Sequence, residues 1–221
     1  MFTYSEENYL KAIFKLSQEN KNGITTNAIA GFLATKASSV TDMIQKLANK
    51  GFIYYKPYQG VKLTEDGEKS AINILRKHRL WELFLYQYLG FKWNEIHEIA
   101  EEMEHIKSDL LIERLDKFMN YPETDPHGDP IPDKDGHFPD QNSQQLSQMQ
   151  ISEKCILTGV KDKTDSFLKY LSKVGIELGT EIEILEWYEF DHSANIKINN
   201  KKIIHLSNQV IENILIQKRN G

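Results

Sequence analysis

Apolar residues return at helical spacing from the start of the chain. Leu10, Ile13, Phe14 and Leu16 predict a helix over 5–19. Gly23 breaks it, and Thr25 or Thr26 is placed to cap a short second helix that buries Ile29, Phe32 and Leu33. Ser38 or Ser39 opens a third helix with Val40, Ile44 and Leu47 on one face, and Gly51 stands where a glycine ends a helix. The β-rich runs 52–56 and 61–63, on either side of Pro57-Tyr58-Gln59-Gly60, predict a hairpin. Thr64, followed by Glu65 and Asp66, caps a long helix to about Gly90, and two more helices follow near 93–107 and 108–119. From Tyr121 to Gln150 the periodicity stops. Five of the six prolines fall there (Pro122, Pro126, Pro130, Pro132 and Pro139), so the segment reads as a linker. Alternation resumes at 180–185, 194–198 and 202–206, predicting a small β-rich barrel of about 70 residues. The fold expected is mainly α with a β-rich C-terminal part. A winged helix-turn-helix takes 1–64, a helical middle domain 65–140, a linker 141–150 and a small barrel 151–221.

Composition adds a division of labour. The 221 residues carry 27 Lys+Arg against 32 Asp+Glu, a net charge of −5. Residues 1–79 carry +5, residues 80–140 carry −10, and residues 141–221 balance. A basic head suits a phosphate backbone, and an acidic middle suits metal cations. One cysteine, Cys155, excludes an internal disulfide and a Cys-rich zinc module. No apolar run reaches the ~18 residues of a membrane span, and the N-terminal residues lack the pattern of a signal peptide. A cytoplasmic protein that does not engage membranes is expected.

Three helices and a hairpin make a winged helix-turn-helix, whose second motif helix enters the major groove of double-stranded DNA. With Val40, Ile44 and Leu47 turned inward, that helix presents Ser38, Ser39, Thr41, Asp42, Gln45 and Lys46. Lys36 precedes it, and Lys56 and Tyr58 in the hairpin are placed to touch phosphate.

The acidic middle concentrates metal-ligand chemistry. His97, Glu101, Glu104 and His105 lie four, three and one residues apart, which puts all four on one half of a helix. His78 and Glu82 form an i, i+4 pair on the helix before. Crowded carboxylates repel, and a cation between them compensates. Oxygen and imidazole donors without thiolate suit Mn(II) or Fe(II) more than a structural zinc. The spacing lacks the second histidine of a zinc protease motif, and no nucleophile elbow or phosphate loop occurs, so binding rather than catalysis is expected.

These segments resemble the diphtheria-toxin-repressor family of metal-dependent transcriptional regulators, including its manganese-responsive branch. The likeness rests on Glu7-Asn8-Tyr9-Leu10, Ser38-Ser39-Val40-Thr41, Leu63-Thr64 and Arg76-Lys77-His78-Arg79-Leu80. It also rests on His97 with Glu104-His105, and on Pro126-His127-Gly128-Asp129-Pro130-Ile131-Pro132. The C-terminal part is similar to the Src-homology-3-like (FeoA-type) module of longer members. The resemblance implies a homodimer that binds palindromic operator DNA with Mn(II) or Fe(II) as corepressor and represses metal-uptake genes. It implies a primary metal site of Glu101, Glu104, His105 and Asn8, and an ancillary site of His78, Glu82 and His97. Glutamate at 101 is the manganese-type choice, where iron-type members have cysteine. Asn8 replaces the Met or Asp of relatives, and Lys11 stands where manganese-type members can use a glutamate. The C-terminal ligand positions of iron-type members fall on Lys163 and Ser166, with Asp162 or Asp165 as substitutes. A metal-independent winged-helix regulator with a solvated acidic domain is the alternative.

Overall fold

The computed structural model describes residues 2–20, 23–56, 59–140 and 143–219. The chain begins with helices α1 (Tyr4–Glu19), α2 (Thr26–Phe32) and α3 (Ala37–Asn49), then strands β1 (Ile53–Lys56) and β2 (Gly60–Leu63). Helices α4 (Glu65–Gln87), α5 (Ile96–Met103) and α6 (Asp109–Phe118) follow. The remainder runs β3 (Gln144–Gln145), β4 (Lys154–Val160), α7 (Asp165–Val174), β5 (Glu181–Trp187), β6 (Ala194–Ile198), β7 (Lys202–Leu206), α8 (Asn208–Ile211) and β8 (Ile214–Lys218). The chain divides into two compact units. One comprises Met1–Trp81, Glu101–Leu115 and Pro132–Phe138; the other comprises Glu82–Ala100, Asp116–Ile131 and Pro139–Gly221.

The first unit is organised largely as its apolar periodicity requires, although Phe32, expected on the buried face of the second helix, is 48% exposed. Leu10, Ile13 and Phe14 of α1, Ile29 of α2 and Val40, Ile44 and Leu47 of α3 share one core with Ile53, Val61 and Ile74. Strands β1 and β2 pair antiparallel from Ile53↔Leu63 to Lys56↔Gly60, and Ile24 bridges Val61 to extend the hairpin by one short segment. Polar side chains set the helix starts. Thr3 and Glu6 form a capping box on α1, Thr25 rather than Thr26 caps α2, and Thr64 Oγ1 accepts from Gly67 N at 3.1 Å. Helix α3 begins at Ala37, one residue before the expected serines, and its N-cap Lys36 makes no side-chain cap bond. Gly51 has φ +80° and ends α3, with Phe52 N bonding back to Leu47 O as in a Schellman turn.

The second unit departs further from expectation. Its six strands form an antiparallel sheet in the order β3-β8-β4-β5-β6-β7. The sheet does not close: among the described residues no pairing joins β3 to β7, so the expected barrel is an open sheet. Gln144 and Gln145, expected in the linker, pair with β8, and Leu146 behind them is fully buried. The proline-rich stretch before them is also built. Thr124 bridges Pro130, Ile131 N donates to Glu123 O, and Asp125, His127 and Ile131 are buried. Proline removes backbone donors but does not prevent a turn whose remaining N–H groups find a carboxylate. Asp125 supplies one, accepting from His127 N at 2.8 Å and Asp129 N at 2.9 Å. Gly128 has φ +86°, and a Cβ there would lie 2.1 Å from Thr158 O; only glycine lets this turn lie against β4, where Val160 N donates to His127 O.

Candidate metal centres and nucleic-acid face

In the first unit the predicted primary ligands gather around a lysine. Glu101 lies on α5, while Glu104 and His105 fall just past its end rather than on the expected continuous helix. Lys11 Nζ, from α1, stands 2.6 Å from Glu101 Oε1 and 2.7 Å from both oxygens of Glu104. His78 Nδ1 lies 2.7 Å from Glu104 Oε2, so His78 joins these carboxylates. Glu104 is wholly buried and Lys11 nearly so. His105 Nδ1 meets Glu7 Oε2 at 2.5 Å, and the Tyr4 ring stacks on the imidazole. Its Nε2 consequently faces Glu104 Oε1 at 3.9 Å. Asn8 Oδ1 is buried without a hydrogen-bond partner. The set therefore contains both an orphan acceptor and a cation of the protein's own.

The second unit holds a different cluster. Glu82, Asp125 and His127 are each at most 3% exposed, and each offers an atom within 4.8 Å of the others. His97 Nδ1 lies 3.1 Å from Glu82 Oε1, at the exposed edge of this group. His127 Nε2 faces Trp93 O at 3.3 Å, and the Trp93 ring stacks on it. A carbonyl accepts only, so Nε2 carries a proton and Nδ1, 3.8 Å from Glu82 Oε2, is the atom turned inward. Burial, then the charges of Glu82 and Asp129, push the Asp125 carboxyl up to about 7. Burial disfavours the His127 imidazolium, but Glu82, as hydrogen-bond partner and charge, outweighs it and raises its pKa. Such a cluster binds a proton or a cation near neutral pH. Its donors are oxygens and an imidazole, a set that fits Mn(II) or Fe(II).

Asp125 and His127 lie outside the ligand sets to which spacing and the family resemblance point. They sit in a proline-rich stretch without periodicity, where His127 stands between Asp125 and Asp129 in one of the segments that carry the family likeness. The suggested C-terminal ligands take other roles. Asp162 Oδ1 accepts from Thr164 N, Asp165 pairs with Lys169 and Asn94, and Lys163 forms an ion pair with Asp129.

On the nucleic-acid face, Lys36, Ser38, Ser39, Asp42, Gln45, Lys46 and Lys56 are exposed. Thr41 is half-buried, and its hydroxyl donates to Ala37 O at 3.0 Å. Lys46 is engaged within the protein: with Lys50 it converges on Glu6 Oε1, at 3.0 and 2.7 Å. Burial alone would raise the pKa of Glu6, but bonds from Lys50, Thr3 N and Lys46 hold it at about 2. Tyr58 lies outside the described residues.

Comparison with known proteins agrees with both units. The family described as the iron-dependent repressor N-terminal DNA-binding domain matches residues 1–61, its metal-binding and dimerisation domain matches 64–133, and the FeoA domain matches 144–218. An uncharacterized helix-turn-helix transcriptional regulator of Methanocaldococcus jannaschii is 41% identical over 115 residues, covering 52% of this chain and 92% of that protein. The iron-dependent repressor IdeR of Mycobacterium tuberculosis is 34% identical over 126 residues, covering 57% of this chain and 54% of that protein. A solved manganese-dependent transcriptional repressor, in complex with manganese, is 30% identical with a TM-score of 0.79, over 97% of this chain and all of that one. With a DNA-binding head, a metal-binding and dimerisation domain and a FeoA domain in succession, the chain belongs to the iron-dependent repressor family of metal-dependent transcriptional regulators.

Proposed function

We propose that this chain is a homodimeric, cytoplasmic repressor of metal-uptake genes whose grip on a palindromic operator is set by Mn(II), with Fe(II) the alternative ion. The observation that carries this reading is the buried group Glu82, Asp125 and His127, with His97 at its edge. The bound ion would supply positive charge that neutralises the two carboxylates. The chain's own residues prepare the place. Asp125 folds the turn that presents His127, Trp93 O fixes the imidazole tautomer, and Gly128 allows the turn its close approach to β4. Asn8, Glu101, Glu104, His105 and His78 form the other ligand-rich set, and there the carboxylates already hold Lys11.

DNA contact falls to α3 and the hairpin. Ser38, Ser39, Thr41, Asp42 and Gln45 are short or medium polar groups on the helix meant for the major groove, and Lys36 and Lys56 flank it as phosphate contacts. An aromatic cluster supports dimerisation. Phe84, Tyr88 and Phe118 have ring centroids 4.9–6.3 Å apart, and Tyr88 and Phe118 remain 42% and 61% exposed in the single chain.

The test is binding to DNA selected from a random-sequence pool with Mn(II) present, titrated anaerobically with Mn(II) and Fe(II). Binding that rises with one ion and falls with chelator supports the reading. Equal binding in chelator establishes the metal-independent regulator instead.

A further inference from the structure

We propose that the Lys11 ammonium is the resident cation of the first cluster, standing where a divalent ion would otherwise sit between Glu101 and Glu104. An ammonium has three N–H donors, and Lys11 has three oxygen contacts to use them: Glu101 Oε1 and both oxygens of Glu104, all within 2.7 Å. Its side chain is 5% exposed and that of Glu104 is 0% exposed, so the ion pair is shielded from water. His78 gives Glu104 a further contact.

The physical reason for a metal between crowded carboxylates is relief of their repulsion, and here the protein provides that relief itself. Metal–oxygen bonds run about 2.0–2.6 Å for divalent ions. An ion bound to these same oxygens would occupy the space of an ammonium already 2.6–2.7 Å from them. Two like charges cannot share that place. What remains of the expected site brings no carboxylate: the Asn8 amide oxygen and His105, whose Nδ1 is held by Glu7. The first cluster thus does not fit a divalent ion, and the contact of α1 with Glu101 and Glu104 persists in chelator. Of these two clusters, the one left to take up metal is Glu82, Asp125 and His127. This last step rests on the function proposed above; the role of Lys11 does not.

Two measurements on the whole 221-residue chain test it. The first is lysine acylation of the wild type followed by mass spectrometry, in chelator and in saturating Mn(II). Lys11 should react about tenfold or more slowly than exposed Lys134, because reaction requires local opening, and Mn(II) should leave that rate unchanged. Acceleration of Lys11 labelling by Mn(II) would mean that the ion expels the ammonium, and would overturn the proposal. The second is Mn(II) stoichiometry by electron paramagnetic resonance. One ion per chain is expected for the wild type, two for Lys11→Glu, and one for Lys11→Glu combined with Asp125→Asn. Two ions in the wild type, or no gain in Lys11→Glu, contradict the proposal. No ion in the wild type together with one in Lys11→Glu would uphold the role of Lys11 and remove the second centre.

Discussion

Glu6 and Lys11 lie on the same helix and solve the same problem in opposite senses. Each is a charge taken out of water, and each is stabilised by partners distant in sequence: Glu6 by Lys46 and Lys50, Lys11 by Glu101 and Glu104. The Glu6 pairing has a definite pH signature. Its carboxyl is held at about 2 against an ordinary 4.5, a depressed value, so its stabilisation is fully present above 4.5 and disappears as pH falls toward 2. Because the lysines are 38–51% exposed, the contribution is discounted to about 1–2 kcal/mol. Denaturant melts should show Glu6→Gln destabilised by about this amount at pH 7, with the gap to wild type closing near pH 2–3. A gap that stays constant over that range contradicts the assignment. Little of this was legible in the sequence. The helical spacing that grouped Glu101, Glu104 and His105 says nothing about a lysine 90 residues away, because a long flexible side chain leaves no periodic trace. In the sequence Lys11 stands out only as a departure from the manganese-type pattern.

Whole elements were easier to read than single side chains. Helices α1 to α6 each appear near their expected places because an amphipathic helix writes its buried face at a regular interval. Sheet closure leaves no comparable record, since it depends on which edges pair. The two-residue strand β3 and the turn around Asp125 are too short for any periodicity. For α3 and the hairpin, the ion pair to Glu6 separates lysines that the sequence treated alike. The salt dependence of operator binding should weaken by about one unit of slope for Lys36→Ala or Lys56→Ala, as each removes a phosphate contact. Lys46→Ala should change that slope less and lower thermal stability more, because its charge is already engaged by Glu6. Equal losses of slope for all three would show that Lys46 leaves Glu6 when DNA binds. Within the same helix, Gln45→Ala should cost about 1–3 kcal/mol on the preferred sequence and much less on random DNA.

At the scale of the molecule, the net charge of −5 conceals a head of +5 and a middle of −10, and the structure shows how part of that negative charge is managed. One pair of middle-domain carboxylates is met by Lys11, and another, Glu82 with Asp125, lies beside His127. No described helix is long and apolar enough to cross a membrane. The aromatic cluster of Phe84, Tyr88 and Phe118, of which Tyr88 and Phe118 are exposed, suits a protein partner. Phe118→Glu should shift sedimentation from dimer toward monomer and weaken operator binding with it; an unchanged dimer would move the interface elsewhere. In the proposed mechanism an ion at Glu82, Asp125 and His127 governs DNA binding. A coupling of about 1–3 kcal/mol corresponds to a change in affinity of roughly 5- to 150-fold. Fluorescence anisotropy of labelled operator, titrated with protein at fixed free Mn(II), reads it directly. Asp125→Asn is the variant to set beside the wild type, since the amide oxygen can still accept from His127 N and Asp129 N while the charge is gone. Wild-type affinity should rise within that range on adding Mn(II), and Asp125→Asn should stay at the metal-free value. A variant that keeps the full Mn(II) response, or a wild type that binds equally well in chelator, would contradict it.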